Sequence, residues 1–177
     1  MNADTGDGQA ADSTPPPTTT GVIASRHEFV NAVHAAVADA LTQGSRQMLW
    51  VDRDFADWPL DDVALLDTLT QWLRLPQRRL QLLAEQFDDL SRRSSRFVAW
   101  YRWRSHAVQA HSASEADAAG LPCLLLTEGA GLVQLLDKPH WRGRISTDAS
   151  DIRQWRDRLV PAWQQSQPSF PPTTLGL

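Results

Sequence analysis

The stretch LPCLLLTEG, residues 121–129, has the form of a strand running into a tight turn. Pro122 stands at its entrance, Leu124, Leu125 and Leu126 form an apolar run, and Glu128-Gly129 follows, with a glycine free to take the positive φ such turns need. A second apolar run, GLVQLL (131–136), lies just beyond the turn, so the two segments predict an antiparallel hairpin. Neither run alternates apolar with polar residues. RRLQLLAE (78–85) is likewise near-continuously apolar, the kind of strand seen when both faces of a sheet are covered.

Working outward, the flanking segments alternate helical and strand periodicity. Ser25 and Glu28 have the spacing of a capping box, and Val30, Val33, Val37 and Leu41 follow at helical intervals up to Gly44. QMLWVD (47–52) reads as a buried strand and DFADWPLDD as the loop leaving it. Leu65, Leu66, Leu69, Trp72 and Leu73 mark a second helix that Pro76 helps to end. RRLQLLAE (78–85) is a second strand, residues 86–98 a third helix, and SHAVQAHS (105–112) a third strand by its alternation. After the hairpin, Asp148 caps a last helix carrying Ile152, Trp155, Leu159 and Trp163, bent or restarted near Pro161. Strands separated by helices, with one hairpin, predict an α/β fold: a mixed β-sheet sandwiched by helices, the antiparallel hairpin lying near the C-terminal end.

The composition bounds the rest. A chain of 177 residues with 42% hydrophobic content and eight Trp can bury one sizeable core. The expected organisation is a disordered tail over 1–24, a domain over 25–166 and a C-terminal tail over 167–177, with Phe170 or Leu175 tucked against the domain. A formal charge of −4 argues against wholesale coating of nucleic acid, leaving only local basic patches. Sixteen of the seventeen basic residues are Arg, and the one Lys is Lys138. A single cysteine, Cys123, excludes an internal disulfide and a multi-cysteine zinc site. No apolar run approaches the ~20 residues that span a bilayer, and no basic segment followed by an apolar one opens the chain. The expected location is cytoplasmic.

The order of elements, and the stretches VDRDFADWPLDD, LLAEQFDDLSRRSSRFV and WRGRISTDASDIRQWRDRLVPAW, together resemble a single phospholipase D-like unit over about residues 26–166. More narrowly, the chain is similar to a proteobacterial phospholipase D-like domain that lacks the catalytic motif and often follows an acetyltransferase of the GNAT class. In active members of the superfamily the motif is His-x-Lys-x-x-x-x-Asp. The histidine attacks phosphorus, the lysine holds the phosphoryl oxygens, and two such units pair. The corresponding positions here are Leu121, Cys123 and Glu128. A leucine has no lone pair with which to attack, and a cysteine can never be a cation. The resemblance therefore implies a scaffold without its reaction, and a homodimer with a two-fold axis near residues 121–140.

Other chemistry has to be weighed on its own residues. Cys123 in an apolar strand reads as a small buried hydrophobe rather than a nucleophile paired with His106, His111 or His140. His106 and His111 lie five apart, on opposite faces of a regular strand. Asp52, Asp54, Asp57, Asp61 and Asp62 follow the C-terminal end of a strand, where open α/β sheets bind ligands, yet each also suits a turn or a helix cap. RRSSRFVAWYRWR (92–104) places Arg beside aromatic residues, a combination that suits phosphate and stacked bases but also a helix end packed on the sheet, and HWRGR (140–144), an Arg pair around a Gly, suits phosphate but also a loop held by Trp141 packing in the core. The candidate ligand residues are Asp52, Arg53, Asp54, Arg96, His140, Arg142 and Arg144, with no catalytic residue, metal ligand or cofactor assigned.

Three readings of function follow. The first is a catalytically inactive binding or regulatory module for a phosphorylated ligand or a protein partner. The second is a nucleic-acid-binding protein using the arginines of 92–104 and 142–144. The third is an enzyme rebuilt around the acidic residues 52–57 and His140, which requires those groups to converge.

Overall fold

The computed structural model describes residues 20–170. Its elements run β1 (Gly21–Ile23), α1 (Arg26–Thr42), β2 (Gln47–Val51), α2 (Val63–Leu73), β3 (Arg79–Ala84), α3 (Asp88–Arg93), α4 (Ser95–Arg102), β4 (Val108–Ser112), α5 (Glu115–Ala118), β5 (Cys123–Thr127), β6 (Gly131–Asp137), β7 (Arg142–Ser146), α6 (Ala149–Gln165) and β8 (Gln167–Pro168). One mixed sheet holds all eight strands, in the order β1-β7-β6-β5-β2-β3-β4-β8. The strands β2, β3 and β4 are parallel, and β5 turns back antiparallel to β2, with Trp50 opposite Leu125. The hairpin of β5 and β6 closes on Gly129 at φ 75°, as its sequence requires.

The near-continuous apolar runs are covered on both faces. Met48, Trp50, Leu82, Cys123, Leu125 and Val133 point to the layer of α1 to α4. Val51, Leu83, Leu124, Leu126 and Leu132 point to α6 alone. Buried helix residues recur at helical spacing, as Phe29, Ala32, Val33, Val37 and Ala40 do in α1. Val30 and Leu41, expected in that stripe, are only half-buried because the stripe is rotated by about one residue. The caps expected at Ser25 and Asp148 are present, and Asp62 rather than Asp61 caps α2.

Several expectations are corrected. The helix read over 86–98 is two, α3 and α4, broken at Ser94 (φ −122°, ψ 63°), whose own carbonyl accepts from Val98. The strand read from 105 begins at Val108, because Arg104 closes a turn by accepting from the Ala107 and Val108 N–H groups. HWRGR is not simply a loop, since Arg142 opens β7. Gly21–Ile23, counted with the N-terminal tail, pairs with β7 as an edge strand, and α6 runs unbroken through Pro161. Phe170 stacks on Phe87 and Tyr101, whereas Leu175 and residues 1–19 lie outside the described residues.

The sheet has two ends, distinguished by strand direction. Strands β2, β3, β4 and β6 finish at one, here the carboxyl edge, and begin at the other, the amino edge.

Candidate functional site at the carboxyl edge

The chain leaves β2 through Asp52, which is 1% exposed. Asp52 continues the pairing with β3 by donating its N–H to Leu83, and its Oδ2 accepts from the N–H of Phe55 at 3.0 Å. That bond folds the loop back on itself and leaves Phe55 at φ 56°, a left-handed conformation unfavourable for a bulky residue. The ring of Phe55 is fixed against Trp58 and Phe87, with centroids 5.2 and 6.0 Å away. Asp54 closes a second turn by accepting from the N–H of Ala56 at 3.0 Å.

These carboxylates are aimed at Lys138, which follows β6. Its Nζ donates to Asp52 Oδ2 at 2.8 Å and Asp54 Oδ1 at 3.1 Å, and Asp57 Oδ2 stands 3.7 Å away. Burial alone pushes the ammonium pKa down, but the charges of Asp52 and Asp54 and their hydrogen bonds outweigh it and hold it above the usual lysine value. Burial likewise raises Asp54, yet the Ala56 N–H and Lys138 leave its carboxyl below the usual range. The one lysine of the chain is thus neutralised in place, and the point where the acidic loop converges is filled by its ammonium. An ammonium so enclosed has little attraction left for a phosphate.

Cys123 opens β5 beside this cluster. Burial, then the charge of Asp52, pushes its thiol well above the usual cysteine value, so it stays protonated and offers neither nucleophile nor cation. Leu121, half-buried, lines a cleft of about 450 Å³ with Arg53, Glu85, Ala113 and Glu115. Arg53 Nε donates to Glu85 Oε2 at 2.6 Å, which leaves this cleft without an uncommitted cation. Glu128 lies at the far end of β5, exposed, its N–H bonded to Gln47 O: a turn residue on the amino edge.

The remaining candidates do not gather. His140, with its side chain 72% exposed, is held by Asp137 through Nδ1 at 2.9 Å, outside the cluster of acids around Lys138. Arg142 is exposed at the start of β7. Arg144 bonds Gln134 Oε1 at 3.1 Å and Asp151 Oδ2 at 2.9 Å, because strand alternation turns it toward α6. Arg96 stands on the opposite layer, its N–H donating to Asp61 Oδ1 at 2.7 Å. Arg96, Arg142 and Arg144 therefore do not share a cleft. His106 is exposed, while His111 stacks on Trp163 with centroids 4.1 Å apart. Sequence reasoning left Lys138 without a role. The available signal was that it is the sole lysine and sits at the exit of the hairpin.

Residues 30–171 match a family model described as Domain of unknown function (DUF7931). No curated protein matches the sequence. Among solved structures, the fold is similar to that of TrmBL2, described as an archaeal chromatin protein with a novel mode of DNA binding (TM-score 0.60, 9% identity, covering 90% of this chain and 57% of that one). It is similar as well to NucT from Helicobacter pylori (TM-score 0.57, 5% identity, covering 86% and 100%). Nuc from Salmonella typhimurium, a phospholipase D family member, gives a TM-score of 0.56 at 8% identity, covering 88% and 100%. At these identities the likeness is one of fold, and the chain spans little more than half the length of TrmBL2.

Proposed function

The chain belongs to the DUF7931 family and has the fold of phospholipase D family members, and from that premise we propose that it is a binding module that cleaves no phosphodiester. The carrying observation is the state of its only lysine. Lys138 is bonded to Asp52 and Asp54 beside Cys123, so the lysine at the carboxyl edge is already committed and cannot clamp a phosphoryl group, and Leu121 has no lone pair with which to attack one. The description of TrmBL2 as a DNA-binding chromatin protein supports the idea that this scaffold serves binding as well as hydrolysis. The test is an assay on bis(p-nitrophenyl) phosphate and on labelled oligonucleotides, with and without divalent cations. No turnover above buffer is the expected result. Turnover that disappears in Lys138→Met or Leu121→Ala would overturn the reading.

The same reading carries a homodimer with its axis near residues 121–140, and a protein partner at the acidic carboxyl edge. The resemblance to domains that follow acetyltransferases makes such an enzyme one partner to seek by co-purification.

A further inference from the structure

Five arginines collect at the end of the sheet opposite the carboxyl edge. Two clefts of about 400 and 440 Å³ adjoin there and share His106. The first is lined by Thr70, Leu73, Arg74, Trp103 and Arg104, the second by Arg46, Gln47, Gln77, Arg78, Arg79 and Glu128. Chain geometry enforces the gathering. Gly44 at φ 73° and Gln77 at φ 59° turn the chain tightly into β2 and β3, and the N–H of Arg79 bonds the carbonyl of Arg46. Glu128 is the acid among the residues lining these clefts.

Glu128 forms no ion pair with any of these guanidiniums. Among the described residues, Arg46, Arg74, Arg78, Arg79 and Arg104 enter none of the ion pairs that occupy Arg53, Arg92, Arg96 and Arg144. Arg104 is fixed by neutral partners: it donates to Trp100 O at 3.0 Å and Thr70 Oγ1 at 3.1 Å, and its guanidinium lies 4.8 Å from the Trp100 ring centroid. Burial, then the like charge of Arg74, lowers its pKa. The Nε of Arg78 is buried with no hydrogen-bond partner, while its other end donates to Pro76 O. The like charges of Arg74 and Arg104, side by side, are a standing cost that an anion in the cleft would relieve. Beside them Trp103 is 83% exposed, the most exposed of the large hydrophobic side chains described.

A row of cations with an exposed aromatic face is what single-stranded nucleic acid requires: guanidiniums for successive phosphates, and an indole for an unpaired base. A duplex offers the phosphates but no free base face. We propose that the amino edge, through Arg46, Arg74, Arg78, Arg79 and Arg104 with Trp103, binds single-stranded nucleic acid. The inference deepens the reading of the chain as a binding module by naming its ligand class, on residues that the carboxyl edge does not use.

The experiment is fluorescence anisotropy of the full chain with a labelled oligo-dT of about 15 nucleotides, a length on the scale of such sites. With about four phosphates neutralised, affinity should fall about twentyfold between about 50 and 150 mM salt. Arg74→Ala with Arg79→Ala should lower the salt slope by about 1.4, and Trp103→Ala should weaken binding about tenfold or more at all salt concentrations. Both changes are at exposed positions, and matching thermal melts will establish that the variants are folded. Arg153→Ala, on exposed α6 surface, should change nothing. Absence of binding at about 50 mM salt, equal affinity for a duplex of the same length, or insensitivity to both amino-edge changes would overturn the proposal. Cleavage of the bound oligonucleotide would instead overturn the non-catalytic reading and leave this one standing.

Discussion

Lys138 and Asp52 illustrate how a buried charge becomes structural. Removing one partner leaves the other enclosed and unpaired, so Lys138→Met should cost about 3 kcal/mol in urea unfolding. Adding Asp52→Asn removes the orphaned charge while keeping an oxygen for the Phe55 N–H, and the double variant should be more stable than Lys138→Met alone. Destabilisation that simply adds would show that the two side chains are not coupled. Acid response follows from Asp54. Its carboxyl titrates below its ordinary value of 3.8, so its stabilisation is present above that pH and is lost as the pH falls through the lower folded value. Lys138 is shifted upward from 10.5, so its stabilisation is complete below that pH and fades only at pH values higher still. Melting temperature should therefore fall on acidification below about pH 4, and Asp54→Asn should shallow that fall. An identical acid profile in the variant would remove Asp54 from the account.

At the level of elements, much of the fold was legible where a segment carries its own signal. Helices α1, α2 and α6 announce themselves by the caps Ser25, Asp62 and Asp148, and the hairpin by its leucine runs and Gly129. The segments that escaped are those defined by their neighbours. RGRIS makes a strand because β6 and β1 flank it, not because its residues favour one, and β1 and β8 are edges of three and two residues. Gly143 explains the apparent loop: a Cβ there would overlap the Gln134 carbonyl oxygen and press on Leu135 Cα, so the glycine is demanded by close pairing rather than by a turn. Gly143→Ala should lower stability by about 3 kcal/mol through displacement of β7 from β6, measurable by chemical denaturation. Unchanged stability would mean that the sheet yields easily there. The candidate site was half legible for the same reason. Asp52 and Asp54 follow a strand visibly, but Lys138 meets them only because β6 runs parallel to β2 with β5 between, a fact of topology that no local pattern carries.

Across the whole molecule, charge is sorted by sheet direction. Asp52, Asp54, Asp57, Glu85, Glu115 and Asp137 stand at the carboxyl edge with Lys138 and Arg53 tied among them, while Arg46, Arg74, Arg78, Arg79 and Arg104, which enter no ion pair among the described residues, stand at the amino edge. Pairing of two chains near residues 121–140 would leave both amino edges outward. Light scattering at micromolar concentration should then give twice the 19.8 kDa chain mass, and a single-chain mass would remove the dimer. This sorting also makes the molecule an oriented dipole, so the formal charge of −4 is a poor guide to its adhesion. A sulfonate resin at neutral pH should retain it, face down, despite its acidic isoelectric point, and reversing Arg46 and Arg79 to glutamate should send it straight through the column.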